Sequence, residues 1–166
     1  MPTRSPYWDY TELEPIRVQF QVEQVDVDNL REHLEVQTKQ MHETIAAGRR
    51  AYLIIVANGE YKVPPEVRKL QAEWLEEHRD SIARNTVAMS FVIDNALVRG
   101  ALTAIFWVTG PPVPHKVHST LAEAITHAIS ACRKEGLELP PEALRPDAAA
   151  RAELALQRML SYRVAL

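Results

Sequence analysis

Six histidines and a single cysteine are the side chains of this 166-residue chain best suited to ligate a metal or to act as base and nucleophile. A helix presents two ligands to one ion at i and i+4, whereas successive strand residues alternate between faces. His33, His42 and His78 fall on helical patterns without such a partner. His115 and His118, three apart on an expected strand, point to opposite faces and cannot share an ion unless that segment is a turn. Cys132 sits at an apolar helical position beside Ile125, Ala128 and Ile129, with no base paired to it. It reads as a small buried hydrophobe, and a lone cysteine permits no Cys-x-x-Cys pair. No metal site is implied.

Phosphate and acyl chemistry need other signals. Five glycines leave no Gly-x-Gly-x-x-Gly and no Walker loop to bring backbone amides onto a phosphate. No Gly-x-Ser-x-Gly elbow is present. Glu73, Glu76, Glu77 and Asp80 form the charged side of an amphipathic helix, the ordinary signature of a solvated face. No catalytic residue and no cofactor follow from these patterns.

The elements that would position any site are clearer. Ile16, Val18, Phe20 and Val22 alternate with polar residues at period two, which predicts a half-buried strand toward a sheet edge. Asp28 is a candidate cap for a helix with Leu30, Leu34, Met41 and Ile45 on one face, stopped by Gly48. The unbroken run 51–57, Ala-Tyr-Leu-Ile-Ile-Val-Ala, predicts a central strand covered on both sides. Pro64-Pro65 opens a helix carrying Val67, Leu70, Trp74, Leu75, His78 and Ile82 and ending near Asn85. Val87–Ile93 predicts a second buried strand, followed by a cap at Asp94 or Asn95. Beyond Pro111, Pro112 and Pro114 a short strand is expected around residues 116–118. Thr120-Leu121-Ala122-Glu123 then reads as a capping box, with Glu123 reaching back to the Thr120 amide. Strand and helix alternate four times, so the expected fold is α/β, a four-stranded, mostly parallel sheet with a C-terminal helix.

Residues 1–15, with Tyr7, Trp8 and Tyr10, form an arm that either packs on the domain or binds a partner. Residues 16–139 are the α/β domain, and 140–166 a helical appendage with Asp147 as its cap. One helix is unusual. From Ala96 to Val108 it is apolar almost all around, broken only by Arg99 and Thr103. One face suffices to pack on a sheet, so Phe106 and Trp107 need a second cover. That cover is the C-terminal helix or the aromatic arm of the same chain, a subunit contact or an apolar ligand; Leu97, Arg99, Thr103, Phe106 and Trp107 are the candidate partner-binding residues, expected in a homodimer contact or under another protein. Arg99 is expected near its rim or at the Asp94 end, where it can pair with a carboxylate. Polar residues beyond the carboxyl ends of the strands, Asn58, Glu60, Asp94, Asn95 and Ser119, are the candidate ligand-binding set.

Composition bounds the partners. Apolar residues make up 46% and charged residues 25%, and the net charge of −3 comes without any basic block, which argues against a nucleic-acid footprint. No apolar run reaches the ~18 residues that span a bilayer. With one cysteine and no signal-peptide pattern, a cytoplasmic location is expected.

The stretch Val87-Ala88-Met89-Ser90-Phe91-Val92-Ile93-Asp94-Asn95-Ala96-Leu97-Val98-Arg99-Gly100, followed after a proline-bearing loop by a short strand and Leu121-Ala122-Glu123-Ala124, resembles the STAS and SpoIIAA-like group. These are small α/β domains related to anti-sigma-factor antagonists and loosely grouped with Sec14-like lipid carriers. The resemblance spans about Ile16 to Gly136. Antagonist members carry a phosphorylatable serine just after the central strand, but here that turn reads Ala57-Asn58-Gly59-Glu60-Tyr61-Lys62. The phosphoswitch is therefore not carried over. The resemblance implies a non-enzymatic regulatory or scaffolding module that docks a protein partner, with an apolar-ligand or lipid-binding domain as the alternative.

Overall fold

The computed structural model describes residues 5–59 and 61–165. Five strands lie in the sheet in chain order: β1 (Tyr7–Tyr10), β2 (Ile16–Gln21), β3 (Ala51–Val56), β4 (Thr86–Val92) and β5 (His115–His118). β1 is antiparallel to β2 and the other three pairings are parallel, so the sheet is mixed. The expected four strands are corrected to five. The extra one comes from the aromatic segment before residue 16, where Trp8 pairs opposite Phe20 with the rings 6.0 Å apart. β2, expected toward an edge, consequently lies inside the sheet.

Six α-helices accompany the strands: α1 (Val27–Ala46), α2 (Pro65–Glu77), α3 (Arg79–Asn85), α4 (Ala96–Thr109), α5 (Leu121–Lys134) and α6 (Ala148–Val164). Parallel crossovers are right-handed, and from β2 to β5 every crossover steps to the next strand in the same direction. That rule puts α1 through α4 on one face of the sheet. The apolar clusters agree: Met41, Leu75, Ile82, Val98 and Ile105 pack with Met89 and Phe91, whereas α5 and α6 share a core with Ile16, Val18 and Ile54. Ala148 and Ala152 are buried in that second core, so the last helix packs on the domain.

Local signals were read with the right elements but several wrong partners. Asp26, not Asp28, caps α1, accepting from Asn29 N at 2.8 Å while Asn29 Oδ1 accepts from Asp26 N at 2.9 Å. The single helix expected to Asn85 breaks at His78, whose Nδ1 lies 3.0 Å from the Trp74 carbonyl and whose ring stacks on Trp74. Thr120 caps α5, yet Glu123 Oε2 accepts from Ser119 N at 3.3 Å instead of from Thr120. Asp147 binds the Arg145 side chain and makes no cap bond.

The α5 face is tightly packed. Tyr52 and Ser90 are both 0% exposed and their hydroxyls lie 2.5 Å apart, a neutral pair satisfied inside an apolar core. Ser90→Ala leaves the Tyr52 hydroxyl buried without that partner. We expect a loss of about 2 kcal/mol in urea unfolding at unchanged m-value.

Candidate ligand-binding cavity

On the opposite face the helical layer stands off the sheet. α5 approaches β2, β3 and β4 closely, whereas on the α1–α4 side only α3 makes a comparable approach, to β4. The sequence supplies the reason. β2 turns Arg17, Gln19 and Gln21 toward this face, and α1 turns back His33, Gln37 and Gln40, so polar stripes meet where apolar side chains would interdigitate. The helices instead pack on one another, α2 with α4 and α1 with α2 and α3. Trp74 Nε1 donates to Thr38 Oγ1 at 3.0 Å, joining α1 to α2.

Both ends of α4 are tied down. Asn95 Oδ1 accepts from Leu97 N at 2.8 Å, and Asn95 Nδ2 donates to the Gly59 carbonyl at 3.2 Å. At the other end the Arg79 guanidinium donates to the Thr109 and Gly110 carbonyls and pairs with Glu76, placing a cation against the helix C-terminus. Gly110, at φ 68°, turns the chain there as few other residues can. Near this end Phe106 packs edge-on against Phe91 at 5.9 Å and against His115 at 4.7 Å.

Between the two layers lies a cavity of about 200 Å3. Its floor is Leu53, Ile55, Met89, Phe91 and Ile93, and its roof Leu75, Val98, Ala101, Leu102, Ile105 and Phe106. Leu53 and Ile55 belong to the central strand yet keep accessible surface, while their neighbours Tyr52 and Ile54 on the other face are 0% exposed. The lining also carries polar side chains, among them Arg17 and Gln19, which sit beside Leu53 and Ile55 in the sheet register, and Gln37, Gln40, Gln71 and Asn85 from the helices. Arg17 pairs with Glu14 at 3.3 Å, and Gln19 Nε2 donates to Asp9 at 3.0 Å. Asn85 Oδ1 is buried without a hydrogen-bond partner.

Burial sets the ionisation of the groups near this face. It lowers His33 to about 4 and raises Tyr7 to about 12; the two rings lie 4.5 Å apart. On the α5 face, burial pushes the Cys132 thiol up to about 11, which makes it a poor nucleophile at neutral pH. His118 is lowered by burial and then by His127, 5.4 Å away. His115 and His118 thus face opposite layers, and among the described residues no three His, Cys, Asp or Glu side chains gather to hold a metal ion. Among the same residues no helix is long and apolar enough to cross a membrane.

The residues singled out in the sequence lie elsewhere. Asn58, Asp94, Asn95 and Ser119 follow the carboxyl ends of β3, β4 and β5, as anticipated, but none lines the cavity; Glu60 lies outside the described residues. A crevice at strand ends opens where strand order reverses, and the order from β2 to β5 never reverses. Of the α4 set, Phe106 faces the cavity, whereas Trp107 and Leu97 are 87% and 79% exposed. Arg99 and Thr103 are exposed as well; Arg99 lies at the Asp94 end of the helix and donates there to the Asp94 backbone carbonyl at 3.4 Å, a carbonyl and not a carboxylate. The polar lining was overlooked. Its signal was available: Gln37 and Gln40 interrupt the buried stripe of α1, and Arg17, Gln19 and Gln21 alternate with the apolar residues of β2.

Fold and cavity together define an α/β domain with a singly wound parallel core and a cavity of mixed apolar and polar lining between its sheet and helices. Compared with known proteins, the chain matches no family model, no curated protein and no solved structure.

Proposed function

We propose that this domain binds a small amphipathic molecule in the cavity between its sheet and the α1–α4 layer, without transforming it. The observation that carries this reading is the stand-off of the helices over Leu53 and Ile55, which leaves central-strand apolar surface accessible inside the fold. Close packing is the rule in protein interiors, so a lined space of this size is uncommon without a use. The candidate set at the strand ends then serves the loops that hold α4 rather than the ligand.

The test is 1-aminonaphthalene fluorescence in the wild type and in Ala101→Phe, whose ring would occupy the roof of the cavity. Wild type is expected to bind with one site, and Ala101→Phe to lose about 30-fold in affinity with its circular dichroism unchanged, as filling an existing space is tolerated better than overpacking. Equal binding by both proteins would place the dye elsewhere and contradict the reading.

A second reading is favoured by Leu97, Trp107 and Val108, which expose large apolar surface on the outside of α4. In it α4 meets a second copy of the chain, and the domain acts as a non-enzymatic regulatory or scaffolding module of STAS or SpoIIAA-like type. Trp107→Glu should then convert a dimer to a monomer in light scattering while staying folded, since buried interface aromatics commonly carry about 2 kcal/mol or more. An unchanged monomeric mass in both proteins removes this reading and leaves the cavity untouched.

A further inference from the structure

The polar lining specifies more than the presence of a cavity. Gln37 and Gln40 come from α1, Gln71 from α2 and Asn85 from the end of α3, so three helices contribute carboxamides to one cavity. The Thr38–Trp74 bond brings the turns bearing Gln37 and Gln71 together, and Met41 and Ile82 share an apolar cluster beside Gln40 and Asn85. Among the described residues Asn85 Oδ1 is buried without a hydrogen-bond partner, and the half-buried side chains of Gln37, Gln40 and Gln71 make no hydrogen bond to the rest of the chain. A carboxamide offers two N–H donors and a carbonyl acceptor, and an occupant that sealed these groups from water without meeting them would be costly. A hydrocarbon placed here would meet none of them.

Charge narrows the choice. Arg17 is the one cationic side chain lining the cavity that carries a full charge, and the Glu14 carboxylate already neutralises it at 3.3 Å. His33 is held neutral at pH 7 by burial, and no Asp or Glu is among the lining residues. An anionic head would find its counter-ion already taken, a cationic head would find no carboxylate among the described lining residues, with Glu14 and Asp9 engaged by Arg17 and Gln19, and either would lose its hydration on entry. Volume sets the size: a dry cavity of about 150 Å3 accepts benzene, so about 200 Å3 suits roughly ten non-hydrogen atoms.

We infer that the cavity takes a neutral amphipathic molecule whose head both donates and accepts hydrogen bonds, a carboxamide or a close equivalent, seated among Gln37, Gln40, Gln71 and Asn85, with an apolar body over Leu53 and Ile55. This inference rests on the cavity being the ligand site. Octanamide, octanoate and 2-nonanone contain the same number of non-hydrogen atoms and differ in the head alone, so they separate the two levels of the claim. Isothermal titration of the full chain at pH 7.5 should show octanamide binding about tenfold tighter than either of the others, the margin expected of one well-satisfied hydrogen-bonding head. Gln40→Leu combined with Gln71→Leu should weaken octanamide about tenfold and leave 2-nonanone within about twofold, because the lost groups serve only the head. Octanoate binding as well as octanamide overturns the neutral head. The ketone binding as well as octanamide overturns the role of the carboxamides, and in both cases the cavity reading stands. Failure of all three to bind, or to displace 1-aminonaphthalene, contradicts the cavity reading itself. If the double variant fails to fold, the ranking of the three probes on the wild type still decides the inference.

Discussion

Ile54→Ala should lower the unfolding free energy by about 4 kcal/mol, and Leu53→Ala, one residue earlier on the same strand, by only about 1 kcal/mol. Both side chains are aliphatic, of equal size and in the central strand. They differ in what lies beyond them. Ile54 is 0% exposed beneath α5, so truncation removes contacts on every side and opens a new hole in a filled core. Leu53 already borders the cavity, so its truncation enlarges an existing space and loses chiefly the transfer term of the removed methyl groups. For a domain of this length the two variants should differ by about 10 °C in melting temperature. Equal costs would mean that the two faces of the sheet are packed alike.

Acid should destabilise the domain between about pH 6.5 and pH 4, by up to about 3 kcal/mol from His33 alone. The folded chain keeps this imidazole neutral down to about pH 4 because it is buried against Tyr7, with its Nδ1 3.3 Å from Ser5 Oγ. Asp9 opposes the shift but does not reverse it. In the unfolded chain the ring takes up a proton near pH 6.5, so below that value the unfolded state binds more protons and gains free energy relative to the fold. Stability from this group is therefore full above pH 6.5 and lost on the way to pH 4. His118, also lowered, adds in the same direction. Urea unfolding across that window, compared between wild type and His33→Gln, isolates the effect. The variant should show a distinctly shallower loss; parallel curves would mean that His33 titrates alike in both states.

Much of the fold was legible because period and punctuation agree locally. The run 51–57 and the segment 87–93 are apolar enough to be inner strands wherever they pair, and Gly48, Gly110 and Gly136 all take positive φ at helix ends. The fifth strand was not legible: the four residues Tyr7–Tyr10 have no alternation to mark them, and their pairing is decided by what Trp8 and Phe20 gain across the turn. The cavity was hidden for a related reason. A polar face of a strand looks the same whether it meets water or a helix that also turns polar residues inward, and that difference is a property of two elements at once. Gln19, 3% exposed, lies on such a covered polar face. The surplus apolar surface of α4 was visible, but only the fold divides it into Phe106 facing in and Trp107 facing out.

The most direct measurement is the methyl spectrum of the isotopically labelled chain under xenon pressure, since xenon enters dry apolar cavities without needing a head group. Xenon should shift the methyl resonances of Leu53, Ile55, Met89 and Ile105 saturably and together, while those of Val18 and Ile54 stay in place. No shift in the first group, or shifts confined to Leu97 and Val108 on the outside of α4, would contradict a binding cavity between the sheet and the helices.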